Sequence, residues 1–284
     1  MPSVELEQGT IHYEEAGPRT GRPVVCVHGY LMGGSLWAQL SSRLAPTGLR
    51  VIMPTWPLGS HLEPMRRDAD LTPLGLAAII AGFLDALDLH DVVLVGNDTG
   101  GALCQVVAVE HPERLGALVL TNCDVLENFP PSFFKALVAA ARVPGALKAA
   151  LAPMRTGVGR RSPLGYGLLS HGDVDHLARE WVKPVFGSAQ VLEDLRKVTV
   201  AIDKRVTLDA AARLGGFERP VLLAWAVDDR LFPLESARRL AAAIPGARLE
   251  TIERSRTFSM LDQPDRLAGL LTSFTTAERP AAPV

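Results

Sequence analysis

Five short, predominantly apolar runs punctuate the chain. They are Pro23–Val27 (PVVCV) and residues 49–53, 92–95 (VVLV), 117–120 (ALVL) and 221–225 (VLLAW), each bounded by turn residues. Runs of this length without polar alternation predict strands buried on both faces of a parallel sheet. Helical patterns lie between them. Thr72-Pro73 supplies an N-cap residue and a first-turn proline, and LAAIIAGFLDALDL follows. Further helices are predicted after Thr99, over Leu234–Ala243 and over 264–274. Ahead of the first run the pattern alternates instead, as Val4-Glu5-Leu6-Glu7 and Ile11-His12-Tyr13-Glu14 around Gln8-Gly9-Thr10, which predicts an antiparallel hairpin. The whole predicts an α/β fold with a doubly wound, mostly parallel sheet.

Residues 124–215 break this rhythm. They are helical in pattern, rich in Ala, Leu and Pro, and contain Phe133, Phe134, Tyr166, Trp181 and Phe186. An insertion that leaves the sheet after one strand, with the sheet pattern resuming later, reads as a helical lid, because open α/β sheets bind ligands at the carboxyl ends of their strands. The expected organisation is a core of 1–123 and 216–284 carrying a cap of 124–215.

A chain of 284 residues with 48% hydrophobic content can bury one large core with or without such a lid. Its net charge of −2 calls for neither nucleic acid nor an anionic membrane. Three irregularly spaced cysteines, Cys26, Cys104 and Cys123, predict buried free thiols rather than a disulfide framework. No signal-like start and no apolar window of spanning length appear, so the cytoplasm is the default expectation. The tail after Thr276 is expected to fray. No GxGxxG before a helix, no P-loop and no HExxH occurs, so no cofactor or metal is expected. The expected partner is a small molecule, and a homodimer is compatible with all of this.

The chemistry concentrates in Val92-Val93-Leu94-Val95-Gly96-Asn97-Asp98-Thr99-Gly100-Gly101. A buried strand ends, a sharp turn follows and a helix begins. Glycines at minus two, plus two and plus three from Asp98 leave room for strand and helix to approach, and the helix N-terminus favours an anion there. This is the small-x-nucleophile-x-small elbow with aspartate at the nucleophile position. The alternative reading is a glycine-rich strand–helix turn capped by Asp98. A second segment, Val27-His28-Gly29-Tyr30, follows an earlier buried strand, with Ser35-Leu36-Trp37 opening a helix. A third, from Pro220 to Pro233, runs a buried strand into the acidic turn Asp228-Asp229.

In order, spacing and context these segments resemble the α/β-hydrolase superfamily, in the branch that holds haloalkane dehalogenases and epoxide hydrolases. The resemblance spans residues 23–120 and 220–274. It implies that Asp98 attacks carbon to form an ester, that the N–H groups of Tyr30 and Thr99 form an oxyanion hole, and that Asp229 is the supporting acid. Asp228 is the neighbouring alternative for that acid, and Asp124 occupies a location some dehalogenases use. It implies for His28 a role in holding its loop, and places Trp37 beside the substrate-binding region.

The resemblance also implies a histidine ahead of Phe258-Ser259-Met260-Leu261-Asp262-Gln263-Pro264, and that frame puts Thr257 there. No histidine follows His176 in any register. General-base assistance is typically worth about 10²–10⁴-fold, so its loss bears directly on the reaction. Thr99 stands where dehalogenases usually carry a halide-binding tryptophan, and the lid offers one tyrosine, Tyr166, where epoxide hydrolases usually offer two. His61, in a loop that rims the site in this fold, is the candidate displaced base, with a surface position as the alternative. His171 and His176 read as exposed. Three functions stay open: a hydrolase acting on a small, mostly apolar molecule through Asp98; a lyase, isomerase or cyclase using Asp98 as base or electrostatic anchor; and a ligand-binding protein without catalysis.

Overall fold

The computed structural model describes residues 1–277. Eight strands form one sheet: β1 (Ser3–Leu6), β2 (Gly9–Ala16), β3 (Pro23–Val27), β4 (Arg50–Pro54), β5 (Val92–Asp98), β6 (Leu115–Cys123), β7 (Val221–Ala226) and β8 (Arg248–Ile252). Their spatial order is β1-β2-β4-β3-β5-β6-β7-β8. The hairpin β1–β2 is antiparallel, with Ser3 opposite His12, and β2 also meets β4 antiparallel. Every other pairing is parallel.

The apolar runs have the burial their composition demands. Val92 and Leu94 pack into one core layer and Val93 and Val95 into the other, because successive strand side chains point to opposite faces. One layer is covered by α2 (Pro73–Ala86) and α3 (Thr99–Glu110). The other is covered by α1 (Ala38–Leu44) and α12 (Pro264–Ala277). Helix α2 starts where expected, with the Thr72 hydroxyl accepting from the Gly75 N–H at 3.2 Å. All three cysteines are buried and free. Residues 278–284, and with them most of the tail expected to fray, lie outside the described residues.

Two differences from the sequence reading have physical causes. Strand β5 continues past Val95 to Asp98, because Asp98 still pairs with Cys123 after an irregularity in register at residues 96–98. Strand β8 lacks an apolar run, since it is the sheet edge and alternates Arg248 and Glu250 with less polar residues.

Between β6 and β7 the chain leaves the sheet through α4 (Lys135–Ala141), α5 (Ala146–Leu151), α6 (Gly157–Arg161), α7 (Asp175–Gly187), α8 (Ala189–Ala201) and α9 (Lys204–Arg213). After β7 come α10 (Leu234–Ala243) and the short α11 (Ser259–Asp262). Among the described residues no helix is long and apolar enough to cross a membrane.

Candidate active site

Asp98 sits at the tip of β5 with φ 55° and ψ −133°, a conformation an L-residue adopts only under constraint from its surroundings. The constraint is close packing. A Cβ on Gly100 would run into the carbonyls of Val27 and His28, so α3 can lie this near β3 only with glycine there. The turn presents the Asp98 side chain to the N-terminus of α3. Its Oδ1 accepts from the Thr99 N–H at 2.7 Å and from the Tyr30 N–H at 3.2 Å. The two backbone donors therefore converge on one oxygen of Asp98 itself.

Asp98 lines a cavity of about 330 Å³ together with Tyr30, Thr99 and Asp124 from the strand ends, Phe129, Phe134, Tyr166 and Leu169 from the helical excursion, and Phe232 from the turn after β7. Among the described residues, no Arg, Lys or His lines it. Tyr30 shares its hydroxyl hydrogen bond with Thr199 Oγ1 (2.6 Å), and the Tyr166 hydroxyl donates to the Leu31 carbonyl. Both phenols are thereby engaged. Burial pushes the Asp98 carboxyl above its ordinary range, against the opposing N–H groups of Thr99 and Tyr30 and the Thr99 hydroxyl. Asp124 is displaced upward more strongly, by burial and then by the Asp98 charge.

Asp229 lies in the turn after β7. Its Oδ1 accepts from the N–H groups of Leu231 (2.7 Å) and Phe232 (3.1 Å), and its Oδ2 accepts from the Thr257 hydroxyl at 2.8 Å. Thr257 is fully buried, and its carbonyl accepts from Asn97 Nδ2 at 2.9 Å. The structure thus brings Asp229 and Thr257 together just behind the elbow. Asp228 instead faces outward to His171, 3.0 Å away.

Burial pushes Asp229 up to about 6 despite its three donors. An acid whose folded value exceeds the unfolded one, about 3.9, holds its proton more tightly when folded, so its contribution is complete below about pH 4 and is lost as pH rises through 6. The loss is roughly 3 kcal/mol. Thermal melts of Asp229→Asn and the unaltered protein should therefore diverge between about pH 4 and 6, the variant gaining relative stability as pH rises. Parallel melting curves across that window would show that Asp229 carries no such displacement.

The remaining sequence candidates lie away from the cavity. His28 donates from Nδ1 to the Gly29 carbonyl (2.9 Å) and accepts at Nε2 from the Trp56 N–H (2.8 Å), which ties the loop before Tyr30 to the end of β4. Burial lowers it to about 4, so the ring is neutral. Trp37 is fully buried in the core layer beneath α1 and is not part of the cavity lining. The expectation that His61 could face the site is corrected. Its ring is buried against Asp194 of α8, with Nε2 to Oδ2 at 3.2 Å, and the same Oδ2 accepts from the Met65 N–H at 2.9 Å. A contact across 133 residues of chain turns the ring toward α8.

Of the excursion's aromatic side chains, Phe134 lines the cavity. Trp181 packs instead between Tyr166 and Phe258 and donates from Nε1 to Ser35 Oγ at 2.8 Å. Sequence reasoning did not single out Phe129 or Phe232. Among the described residues, no three His, Cys, Asp or Glu side chains gather as a metal site.

A family model for the alpha/beta hydrolase fold matches residues 22–264. The chain belongs to the α/β-hydrolase fold family. Its curated relatives include a 2-hydroxy-6-oxononadienedioate/2-hydroxy-6-oxononatrienedioate hydrolase of Dechloromonas aromatica, 26% identical over 96% of this chain and 94% of the relative. A 2-hydroxy-6-oxo-6-phenylhexa-2,4-dienoate hydrolase of Comamonas testosteroni is 27% identical over 95% of this chain and 92% of the relative. Among solved structures, an enol-lactonase from Burkholderia xenovorans LB400 superposes with a TM-score of 0.74 at 19% identity, covering 97% of this chain and all of the other, a likeness of fold. This α/β-hydrolase is accordingly an enzyme of a superfamily in which its relatives are named hydrolases.

Proposed function

We propose that this α/β-hydrolase opens a small, uncharged, mostly apolar electrophile, with an epoxide fitting best, and that Asp98 is its reactive carboxylate. The observation that carries this reading is the pinning of Asp98 Oδ1 by the N–H groups of Tyr30 and Thr99. That leaves Oδ2 as the oxygen free to act at a cavity lined mainly by apolar side chains. Residues 124–215 serve as the cap that closes this cavity from water.

The pinning also separates this enzyme from the relatives' named reactions. A carbonyl substrate would need the two N–H donors for its developing oxyanion, and here Asp98 holds both. The relatives' names describe carboxylates, a dienedioate and a dienoate. A buried carboxylate needs a cation or several donors, and no basic side chain lines this cavity. A halide leaving group would likewise need free donors. An epoxide oxygen needs one proton.

A second reading, a lyase, isomerase or cyclase, is favoured by one observation. None of the chain's seven histidines lines the cavity, and the side chain that meets the Asp229 carboxyl is the Thr257 hydroxyl. Both readings are tested by incubating the protein with neutral aliphatic and aryl epoxides alongside the dienedioate and dienoate. The expected result is diol from epoxides and no cleavage of the carboxylates. Isomerised or cyclised epoxide without diol selects the second reading, and carboxylate cleavage as the main activity rejects both.

A further inference from the structure

Two carboxyl groups reach the cavity side by side. The pairing of Asp98 with Cys123 across β5 and β6 sets Asp124 next to the elbow, with its N–H donating to the Asp98 carbonyl at 3.3 Å. Both side chains line the cavity. Their surroundings differ. Asp98 receives two backbone N–H donors on Oδ1. Asp124 is buried and, among the described residues, its Oδ1 has no partner and its Oδ2 has one long contact, 3.4 Å from Thr99 Oγ1. Thr99 stands between the two carboxyls, its N–H donating to Asp98 Oδ1 at 2.7 Å and its hydroxyl facing Asp124 Oδ2.

We propose that Asp124 is a catalytic residue, a general acid that protonates the oxygen leaving carbon while Asp98 takes the proton from the attacking water. The inference rests on the epoxide-opening reading above. In the step, the water oxygen bonds to an epoxide carbon as that carbon's bond to oxygen breaks. The water proton passes to Asp98 Oδ2, and the Asp124 carboxyl proton passes to the released oxygen. The product is a neutral diol. Asp98 is left protonated and Asp124 ionised. As the diol leaves, Asp98 gives its proton to water entering the cavity and Asp124 takes one from that water, and the site is reset. No ester forms on Asp98, so the cycle needs no histidine to release one.

The charge environment supports this division of labour. The titratable groups around Asp124 are Asp98, the adjacent Cys123, and the cavity tyrosines Tyr30 and Tyr166, with Asp229 behind the elbow. None is a cation. An ionised Asp124 would stand beside the Asp98 charge with almost nothing to solvate it, whereas a protonated one is neutral. Two carboxyls in contrasting surroundings divide into base and acid in this way.

The test is Asp124→Asn, which keeps the shape and removes the transferable proton. Expected for an aliphatic epoxide is a fall in kcat of about 10²–10⁴-fold with KM little changed, and loss of the alkaline limb that the unaltered enzyme shows as Asp124 ionises. An infrared difference spectrum near pH 7.5 reads the same group without substrate. The unaltered protein should show a protonated-carboxyl band that Asp124→Asn lacks. Absence of that band, or a variant within about threefold of normal kcat that keeps its alkaline limb, overturns the proposal. The band present without any epoxide turnover by the unaltered enzyme overturns the functional reading instead, and the proposed step falls with it.

Discussion

Asp98→Asn should lower epoxide turnover by about 10²–10⁴-fold while leaving KM within a few-fold, because it removes the group that activates the attacking oxygen and keeps the shape of the site. The amide oxygen can still accept from the N–H groups of Tyr30 and Thr99, so the elbow has no reason to collapse. The elevated position of the Asp98 carboxyl makes it a better base near neutrality than an exposed aspartate. One turnover in ¹⁸O-water with enzyme in excess then separates base from nucleophile. If Asp98 acts as a base, ¹⁸O appears in the first diol formed and the protein gains no mass. If Asp98 attacks carbon directly, the first diol carries ordinary oxygen from the carboxylate, or an adduct persists because Thr257 cannot activate water to release it. Undiminished turnover by Asp98→Asn would remove Asp98 from the chemistry altogether.

The second large effect is expected from a residue with no functional group. Gly29 follows His28 in the loop that delivers the Tyr30 N–H. A Cβ added there would overlap Oδ1 of Asp98 and stand 2.6 Å from its Cγ. The carboxylate has little room to yield, since its backbone is already held at φ 55° and its Oδ1 is held by two N–H groups. Gly29→Ala should therefore dislodge the carboxylate or push the loop off it. A displacement of about 1 Å can cost on the order of 10²-fold in rate, and overpacking of this kind typically costs about 1–3 kcal/mol of stability. Kinetics and thermal melts on the same sample would read both. Normal kcat/KM in a variant of unchanged melting temperature would mean that the carboxylate is not confined between these donors.

Both substitutions act on the part of the molecule that the sequence displayed most clearly. Local steric demand writes the elbow into consecutive residues: a buried strand, glycines around Asp98, then a helix. The five apolar runs are legible for the same reason, since a strand buried on both faces can carry little else. Thr257 could be named because the segment from Phe258 to Pro264 resembles the one that follows the family's histidine. Strand β8 was not visible, because a sheet edge tolerates Arg248 and Glu250 and so erases the apolar run.

What the sequence by itself determined is the α/β core, the elbow with aspartate at its tip, and the lack of any late histidine. These follow from local periodicity and from residue identity at short spacings. Only the tertiary structure decided that the N–H groups of Tyr30 and Thr99 close on Asp98's own oxygen, that Asp124 stands beside it with its Oδ1 unpartnered among the described residues, and that His61 turns away to Asp194. Each depends on the register of neighbouring strands or on a contact across scores of residues. Periodicity reports that a side chain is buried, but the partner it is buried against is chosen by packing.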